Sequence, residues 1–221
     1  MAKMAKDLTG NCYLCGVNLN KVAMKNHILK VHGEDKGGKD CCLLKIEGVY
    51  DKSYWLYVDI PLNKSLEDLD DFLRRIWLEC CGHMSMFCRP RYDEIDMSSK
   101  LKSFPQGDKF FHHYDFGTTT ETLITFMGNI IRKDMKDIVR LLARNSPPVF
   151  KCKNCGELAE YIYQEHDEEY KLPFYCEECV KSGEYDGMLL PITNSPRMGE
   201  CGYGGELDIY TFDPASIKKS T

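Results

Sequence analysis

The sequence predicts an α+β fold: a central mixed or antiparallel sheet with packed helices, flanked by an N-terminal zinc finger and a C-terminal zinc ribbon. Three observations predict it. A β-hairpin pattern runs into an amphipathic helix between residues 43 and 80, a Cys-Cys-His-His set precedes residue 33, and two Cys-x2-Cys pairs follow residue 150.

The hairpin comes from residues 43–49 and 53–60, rich in apolar and aromatic side chains and divided by Tyr50, Asp51 and Lys52. Side chains alternate along a strand, so Leu56, Val58 and Ile60 share one face while Trp55 and Tyr57 take the other. The helix follows because Leu66, Leu69, Leu73, Ile76, Trp77 and Cys80 recur at helical spacing. Ser65 can cap it, and Glu67 and Asp68 favour its positive N-terminal end. Residues 84–92 and 109–116 read as strands separated by a polar loop containing Pro105 and Gly107, and residues 119–127 pair back through a turn at Gly117. Between residues 131 and 142 the pattern fits two periods. Ile131, Met135, Ile138 and Leu142 make a helix face, Ile138-Val139 and Leu141-Leu142 suit a buried strand, and the segment is read as helix. Asn145-Ser146-Pro147-Pro148 then ends whatever precedes it.

These elements divide the chain into a two-Cys two-His module at 1–33, a linker at 34–40, a core domain at 41–148, a four-Cys module at 149–205 closing on the core, and a tail at 206–221. The linker is expected from Gly-Glu-Asp-Lys-Gly-Gly-Lys-Asp at 33–40, which has no apolar residue.

Hydrophobic content of 43% with 29% charged residues is that of a soluble globular protein, and no apolar run approaches the roughly 18 to 20 residues of a membrane span. The start Met-Ala-Lys-Met-Ala-Lys-Asp lacks the apolar stretch of a secretory signal. A reducing, cytoplasmic setting is therefore expected, in which the twelve cysteines are metal ligands or core residues rather than disulfides. A net charge of -5 argues against a surface that embraces phosphate throughout. Basic residues gather at Lys3, Lys6, Lys21, Lys25 and Lys30, and again from Arg132 through Lys133, Lys136, Arg140 and Arg144 to Lys151 and Lys153. Acidic residues crowd the last third, at Glu165, Asp167, Glu168, Glu169, Glu177, Glu178 and Glu184. Any phosphate contact thus belongs at the front or the middle.

Cys12, Cys15, His27 and His32 have the spacing C-x2-C-x11-H-x4-H. Two thiolates on a tight knuckle and two imidazoles about a turn apart are what tetrahedral zinc requires. Leu19 and Met24 supply its small core, and a module so short needs the metal in order to fold. Cys41 or Cys42 is the alternative to His32 as fourth ligand. Cys152, Cys155, Cys176 and Cys179 form C-x2-C-x20-C-x2-C, the pattern of a zinc ribbon, with Gly156 at a knuckle position tolerant of positive φ. A redox reading of these pairs would need a thioredoxin-like βαβ context, which is missing. Two structural Zn2+ ions are expected. A lone finger reads only about three base pairs, so Lys21, Lys25, Asn26 and Lys30 are equally compatible with nucleic acid and with a protein partner.

The runs IWLECCGHMSMF (76–87), FFHHYDFGTTTETL (110–123), LLARNSPP (141–148) and LLPITNSPRMGECGYGG (189–205) occur in one order along the chain. In them the chain resembles the plasmid pRiA4b ORF-3-like family, whose members also carry the label of passenger proteins of a transposable element. The sharpest marks are Gly-His-hydrophobic-Ser-x-Phe at 82–87 and Tyr-Asp-Phe-Gly at 114–117. The resemblance, over roughly residues 43–205, implies an α+β domain and the subset bearing extra zinc modules. It implies no biochemical activity. No recombinase constellation accompanies it, and Asp115-Phe116-Gly117 lacks the phosphate loop, the lysine motif and the HRD segment of a kinase.

For catalysis the weak candidates are Cys81, His83 and Asp115, as nucleophile, base and orienter, while His112, His113 and Asp115 could instead hold a metal. The plainer reading makes Cys80, Cys81 and Cys88 small core residues and has Asp115 hydrogen-bond the turn at Gly117. Asn194-Ser195-Pro196-Arg197 and Cys201-Gly202-Tyr203-Gly204-Gly205 read as a Gly-rich closure, or else as an anion site, and Cys201 has no evident set of metal partners. The expectation is a cytoplasmic, zinc-binding, non-enzymatic adaptor that meets nucleic acid or protein. The rivals are a hydrolase or transferase using His83, Cys81 and Asp115, and a DNA-associated accessory protein of a mobile element.

Overall fold

The computed structural model describes residues 9–164, 173–185, 187–205 and 210–217. Lys3 and Lys6 at the front, and Glu165, Asp167, Glu168 and Glu169 of the acidic run, lie outside the described residues. The fold is α+β, dominated by one nine-stranded antiparallel sheet.

The sheet grows from the expected hairpin, β3 (Lys39–Gly48) and β4 (Trp55–Pro61). β5 (Ser85–Arg89), β6 (Asp93–Ile95), β7 (Lys109–Tyr114) and β8 (Thr120–Arg132) extend it on one side. β9 (Arg140–Asn145), β1 (Thr9–Cys12) and β2 (Asn18–Asn20) extend it on the other. The order is β2-β1-β9-β4-β3-β8-β7-β5-β6. The first helix, α1 (Lys21–Val31), and the second, α2 (Leu66–Leu73), lie on opposite faces of this sheet.

Strand alternation separates the two faces as read from the sequence. Leu56, Val58 and Ile60, with Cys42, Leu44 and Ile46 beside them, join Leu66, Leu69, Phe72 and Trp77 in the larger core. Trp55 and Tyr57, with Cys41 and Leu43, meet Met24 and Ile28 of α1 in a second core. Both faces of β4 are therefore buried along its whole length. Ser65 opens α2 with its N–H on Asp68 Oδ2 at 2.9 Å, and after Leu73 the helix runs on as one π-helical turn, Arg74–Leu78. The ribbon region is a small sheet of its own: β10 (Tyr161–Gln164) between β11 (Phe174–Tyr175) and β12 (Met188–Pro191), with α3 (Glu177–Ser182) beside it.

Two expectations are corrected. Residues 131–142 are not a helix: β8 continues to Arg132 and β9 begins at Arg140. Between them residues 133–139 form neither helix nor strand and are mostly exposed, and β9, paired with β4 on one edge and β1 on the other, contributes only Arg140, Leu141 and Leu142 to the segment, too few for alternation to show. Residues 34–40 are tied down rather than forming a free link. The Ile131 N–H donates to Gly33 O, the Lys133 N–H donates to Asp35, and Lys39 and Asp40 already belong to β3. The N-terminal module is continuous with the core, since Gly10, Asn11 and Cys12 pair with Asn145, Arg144 and Ala143.

The arginines of the second basic stretch change meaning, while its Lys133, Lys136, Lys151 and Lys153 stay exposed. Arg132 is fully buried and, with Arg140, donates to the fully buried Asp59; Arg144 is buried as well, on Asn194 O. These guanidiniums hold the sheet together and are not offered to phosphate.

His112, inside the larger core, brings Nε2 to 2.6 Å from Asp70 Oδ1, and Arg74 Nε donates to Asp70 Oδ2 at 2.7 Å. Burial, outweighing the pull of Asp70, holds the His112 pKa below the usual histidine range, so the ring is neutral and donates its proton. Burial opposes ionisation of Asp70, but the bonds from His112 and Arg74 outweigh it and bring the carboxyl down to about 2.

Two outcomes follow. Asp59→Ala strands buried Arg132 without a counter-charge and should cost about 3–5 kcal/mol in urea unfolding; a loss under about 1 kcal/mol would contradict the pairing. Unfolded chains protonate histidine below about pH 6.5 while buried His112 resists, so its contribution is lost as pH falls below that value. His112→Gln should therefore show a smaller stability drop than wild type between pH 7.5 and 5.5, and an equal drop would refute neutral burial.

Candidate metal centres

Three groups of four Cys and His residues bring their ligand atoms within 4.8 Å of one another: Cys12, Cys15, His27 and His32; Cys152, Cys155, Cys176 and Cys179; and Cys80, Cys81, His83 and Cys201. All twelve cysteines are free thiols. Each group can hold a metal ion.

The first group sits where β1 turns into β2 and α1 begins. Cys12 ends β1, and the chain reverses with the Gly16 N–H on Cys12 O at 2.8 Å and the Cys12 N–H on Val17 O at 2.9 Å. Gly16 has φ +79°, a left-handed conformation open to glycine. Asn20 Oδ1 accepts from the Ala23 N–H and caps α1. His27 projects from the helix with Nε2 3.2 Å from Cys15 Sγ. Five residues along a helix displace a side chain by roughly 140°, so His32 could not share a face with His27 in an unbroken helix. It reaches the group because it is the C-cap, at φ -120° and ψ 6°, where the helix has ended. His32 Nε2 is buried without a hydrogen-bond partner, a lone pair that a metal bond would satisfy. Cys41 and Cys42 are buried in β3 and do not join the group.

The second group repeats the same knuckle. The Gly156 N–H donates to Cys152 O at 3.0 Å, the Cys152 N–H to Glu157 O at 2.8 Å, and Gly156 has φ +78°. Cys176 caps α3 and faces the knuckle, its Sγ 3.5 Å from that of Cys155. Tyr163, Tyr175 and Tyr185 pack edge to face around the cysteines. Burial works against the Cys152 thiolate, but backbone N–H groups of Cys176, Cys155 and Asn154 outweigh it and draw this thiol down to about 6. A thiol ionised near neutral pH is ready to ligate. Gly156 was legible in the sequence as a knuckle glycine; the matching Gly16 was readable from the same Cys-x2-Cys-Gly pattern and was missed.

The third group joins the end of α2 to the segment after β12. Gly82, at φ +77°, turns the chain so that Cys81 Sγ lies 2.9 Å from His83 Nε2. Cys201 Sγ lies 3.2 Å from the same nitrogen and 3.8 Å from Cys81 Sγ, and Cys80 Sγ lies 3.6 Å from Cys81 Sγ. Cys88 is buried as the core reading expected, but Cys81 and Cys201 are exposed. Hydrogen bonding from Cys80, then burial, pushes the Cys81 thiol up to about 12.

The weak catalytic candidates are close together, yet their arrangement is not a relay. Asp115 Oδ2 lies 3.4 Å from His83 Nε2, the nitrogen that also faces Cys81. An orienting carboxylate must hold the other ring nitrogen, so Asp115 cannot set the tautomer while Nε2 takes a thiol proton. Asp115 instead accepts from Arg197 Nη2 at 2.7 Å and from the Gly117 N–H at 2.9 Å, the latter being the turn bond expected from the sequence. His112 and His113, adjacent on β7, point to opposite faces: His112 to Asp70, and His113 toward Cys88, 3.7 Å away. A His-His-Asp metal set is therefore absent among the described residues. No helix among them is long and apolar enough to cross a membrane.

No family model matches the chain, and no curated protein does. Among solved structures it is similar to a protein of unknown function, MM3350, from Methanosarcina mazei Go1, at 14% identity and a TM-score of 0.40. That match covers 51% of this chain and 70% of the other.

The knuckle glycines give a direct test. Nothing lies within 4 Å of a Cβ built on Gly156, so Gly156→Ala carries backbone strain alone, about 1–2 kcal/mol. Chelator competition should show roughly tenfold weaker zinc retention, with Gly156→Asn closer to wild type because Asn visits this conformation more readily. Equal retention in all three would contradict the knuckle.

Proposed function

We propose that this chain is a zinc-binding, non-enzymatic adaptor whose finger and ribbon hold shape and present surfaces to another macromolecule. One observation carries the reading: the groups at the two ends of the chain each supply four Cys or His donors, two of them from the same Cys-x2-Cys-Gly knuckle. Four protein ligands close a tetrahedral zinc and leave no position for substrate. The single imidazole nitrogen shared by Cys81, Cys201 and Asp115 argues in the same direction, since it favours ligation over general-base chemistry. Twelve free cysteines fit a reducing, cytoplasmic setting.

A protein partner is favoured over nucleic acid. Lys21 is engaged with Glu47 at 3.3 Å and Lys52 O at 2.9 Å, which leaves Lys25 and Lys30 as the available lysines among the finger's described residues, and Arg132 and Arg144 of the second basic stretch are buried. The helix positions that read bases in a DNA-binding finger are -1, 3 and 6, here Asn20, Ala23 and Asn26. Asn20 is used as the helix cap. We also propose membership of the pRiA4b ORF-3-like family, supported by the ordered motifs at 82–87 and 114–117; a mobile-element role rests on that family's label.

Protein purified without added metal should carry zinc, and the Cys152→Ser, Cys155→Ser double variant should carry one ion fewer. An unchanged metal content would remove the ribbon from the account. Duplex DNA and RNA should bind weakly, and neutralising Lys25 and Lys30 should leave the salt slope of binding nearly unchanged. A steep slope that flattens by about two in the Lys25→Gln, Lys30→Gln variant would establish the nucleic-acid reading instead.

A further inference from the structure

We propose that Cys80, Cys81, His83 and Cys201 form a third zinc site, which ties the segment following the ribbon to the core and is held by Arg197 from its second coordination shell. The finger and the ribbon draw their ligands from one stretch of chain each. Here Cys81 and Cys201 stand 120 residues apart.

The geometry is that of ligand edges. Two thiolates at about 2.3 Å from one tetrahedral zinc stand roughly 3.8 Å apart, and a thiolate and an imidazole nitrogen roughly 3.5 Å. The Sγ separations are 3.6 and 3.8 Å, and the Sγ to Nε2 separations 2.9 and 3.2 Å. A disulfide would bring two sulfurs to about 2.05 Å. Three sulfurs and a nitrogen gathered at these spacings surround the place a zinc ion takes.

The scaffold beneath is held by hydrogen bonds that involve none of the four ligands. Ser195 Oγ donates to Trp77 O at 2.6 Å, Trp77 Nε1 donates to Asn194 O at 3.0 Å, and Asn145 Nδ2 donates to Asn194 Oδ1 at 2.7 Å. These bonds fix the strand of chain that carries Cys201 against the turn that carries Cys80. The turn from Arg197 to Tyr203 is closed by the Glu200 N–H on Arg197 O and the Tyr203 N–H on Glu200 O, and Tyr203 is buried.

Arg197 completes the electrostatics. Its side chain is fully buried, lies 4.8 Å from the centre of the Tyr114 ring, and pairs with Asp115. Its Nη2 also reaches Cys80 Sγ at 3.4 Å. Zinc with three thiolates and one neutral imidazole carries a net charge of -1, and a guanidinium donating to one sulfur offsets that charge and fixes the sulfur's direction. Arg197 is thus a positioning residue, and Asp115 holds it in place.

The test is the zinc content of the full chain by native mass spectrometry, comparing wild type with Cys201→Ser. The variant should hold one zinc fewer per chain whatever the finger and ribbon hold, so this difference is independent of the ribbon double variant. An equal count in the two proteins overturns the site. If Cys201→Ser does not fold, alkylation of wild type decides. Cys81 and Cys201 are exposed, so their slow alkylation in zinc-loaded protein, accelerated after chelation, supports the site. Fast alkylation with zinc present, or a disulfide between them in freshly purified protein, overturns it. Arg197→Gln should weaken this one zinc by about 10–100-fold while the other sites keep theirs. Unchanged affinity would remove Arg197 from the site.

Discussion

Thiol and imidazole donors gathered in fours are the arrangement that a zinc ion takes, because ionised thiols repel one another and a cation among them offsets that repulsion. Three groups in this chain have donors within 4.8 Å, and the account of the protein depends on that constraint. In the finger and the ribbon the backbone shares in it. The Gly16 and Gly156 turns each set two cysteines at the spacing a single ion needs, with matching hydrogen bonds to the first cysteine. A knuckle of this kind stabilises little on its own; its worth is realised when the metal binds.

The sheet explains why the finger is not an independent knob. Trp55, Tyr57, Cys41 and Leu43 make the second face of the sheet apolar, and α1 covers it with Met24 and Ile28. A metal held at Cys12 and His27 would therefore brace the helix that seals half of the sheet. The ribbon lies on its own small sheet, and the chain that leaves it returns to the core through Asn194, Ser195 and Arg197.

Much of this was legible in the sequence because it is local. Alternation gave the two faces of β4, periodicity gave α2, and spacing gave the eight Cys and His residues that come together in two groups. What escaped is mostly long-range. Residues 131–142 read as helix because two strand ends and the exposed connection at 133–139 place Ile131, Met135, Ile138 and Leu142 at helical spacing without forming one. Arg132, Arg140 and Arg144 looked like a basic surface because a linear sequence does not show Asp59 between two of them. Cys81 and Cys201 have no spacing to recognise across 120 residues, and only the fold brings them to one imidazole. The fourth ligand of the finger was uncertain for a related reason: His32 is usable only because the helix stops before it.

The measurement that tests the central claim most directly is zinc K-edge absorption spectroscopy on the purified full-length chain. The four-cysteine ribbon and the two-cysteine finger average to three sulfurs and one nitrogen per zinc, and the three-cysteine group has that same ratio, so the average holds with or without it. The account predicts a first shell of about three sulfurs near 2.3 Å and one nitrogen near 2.0 Å. A shell dominated by oxygen, or zinc lost at the first desalting step, would contradict it.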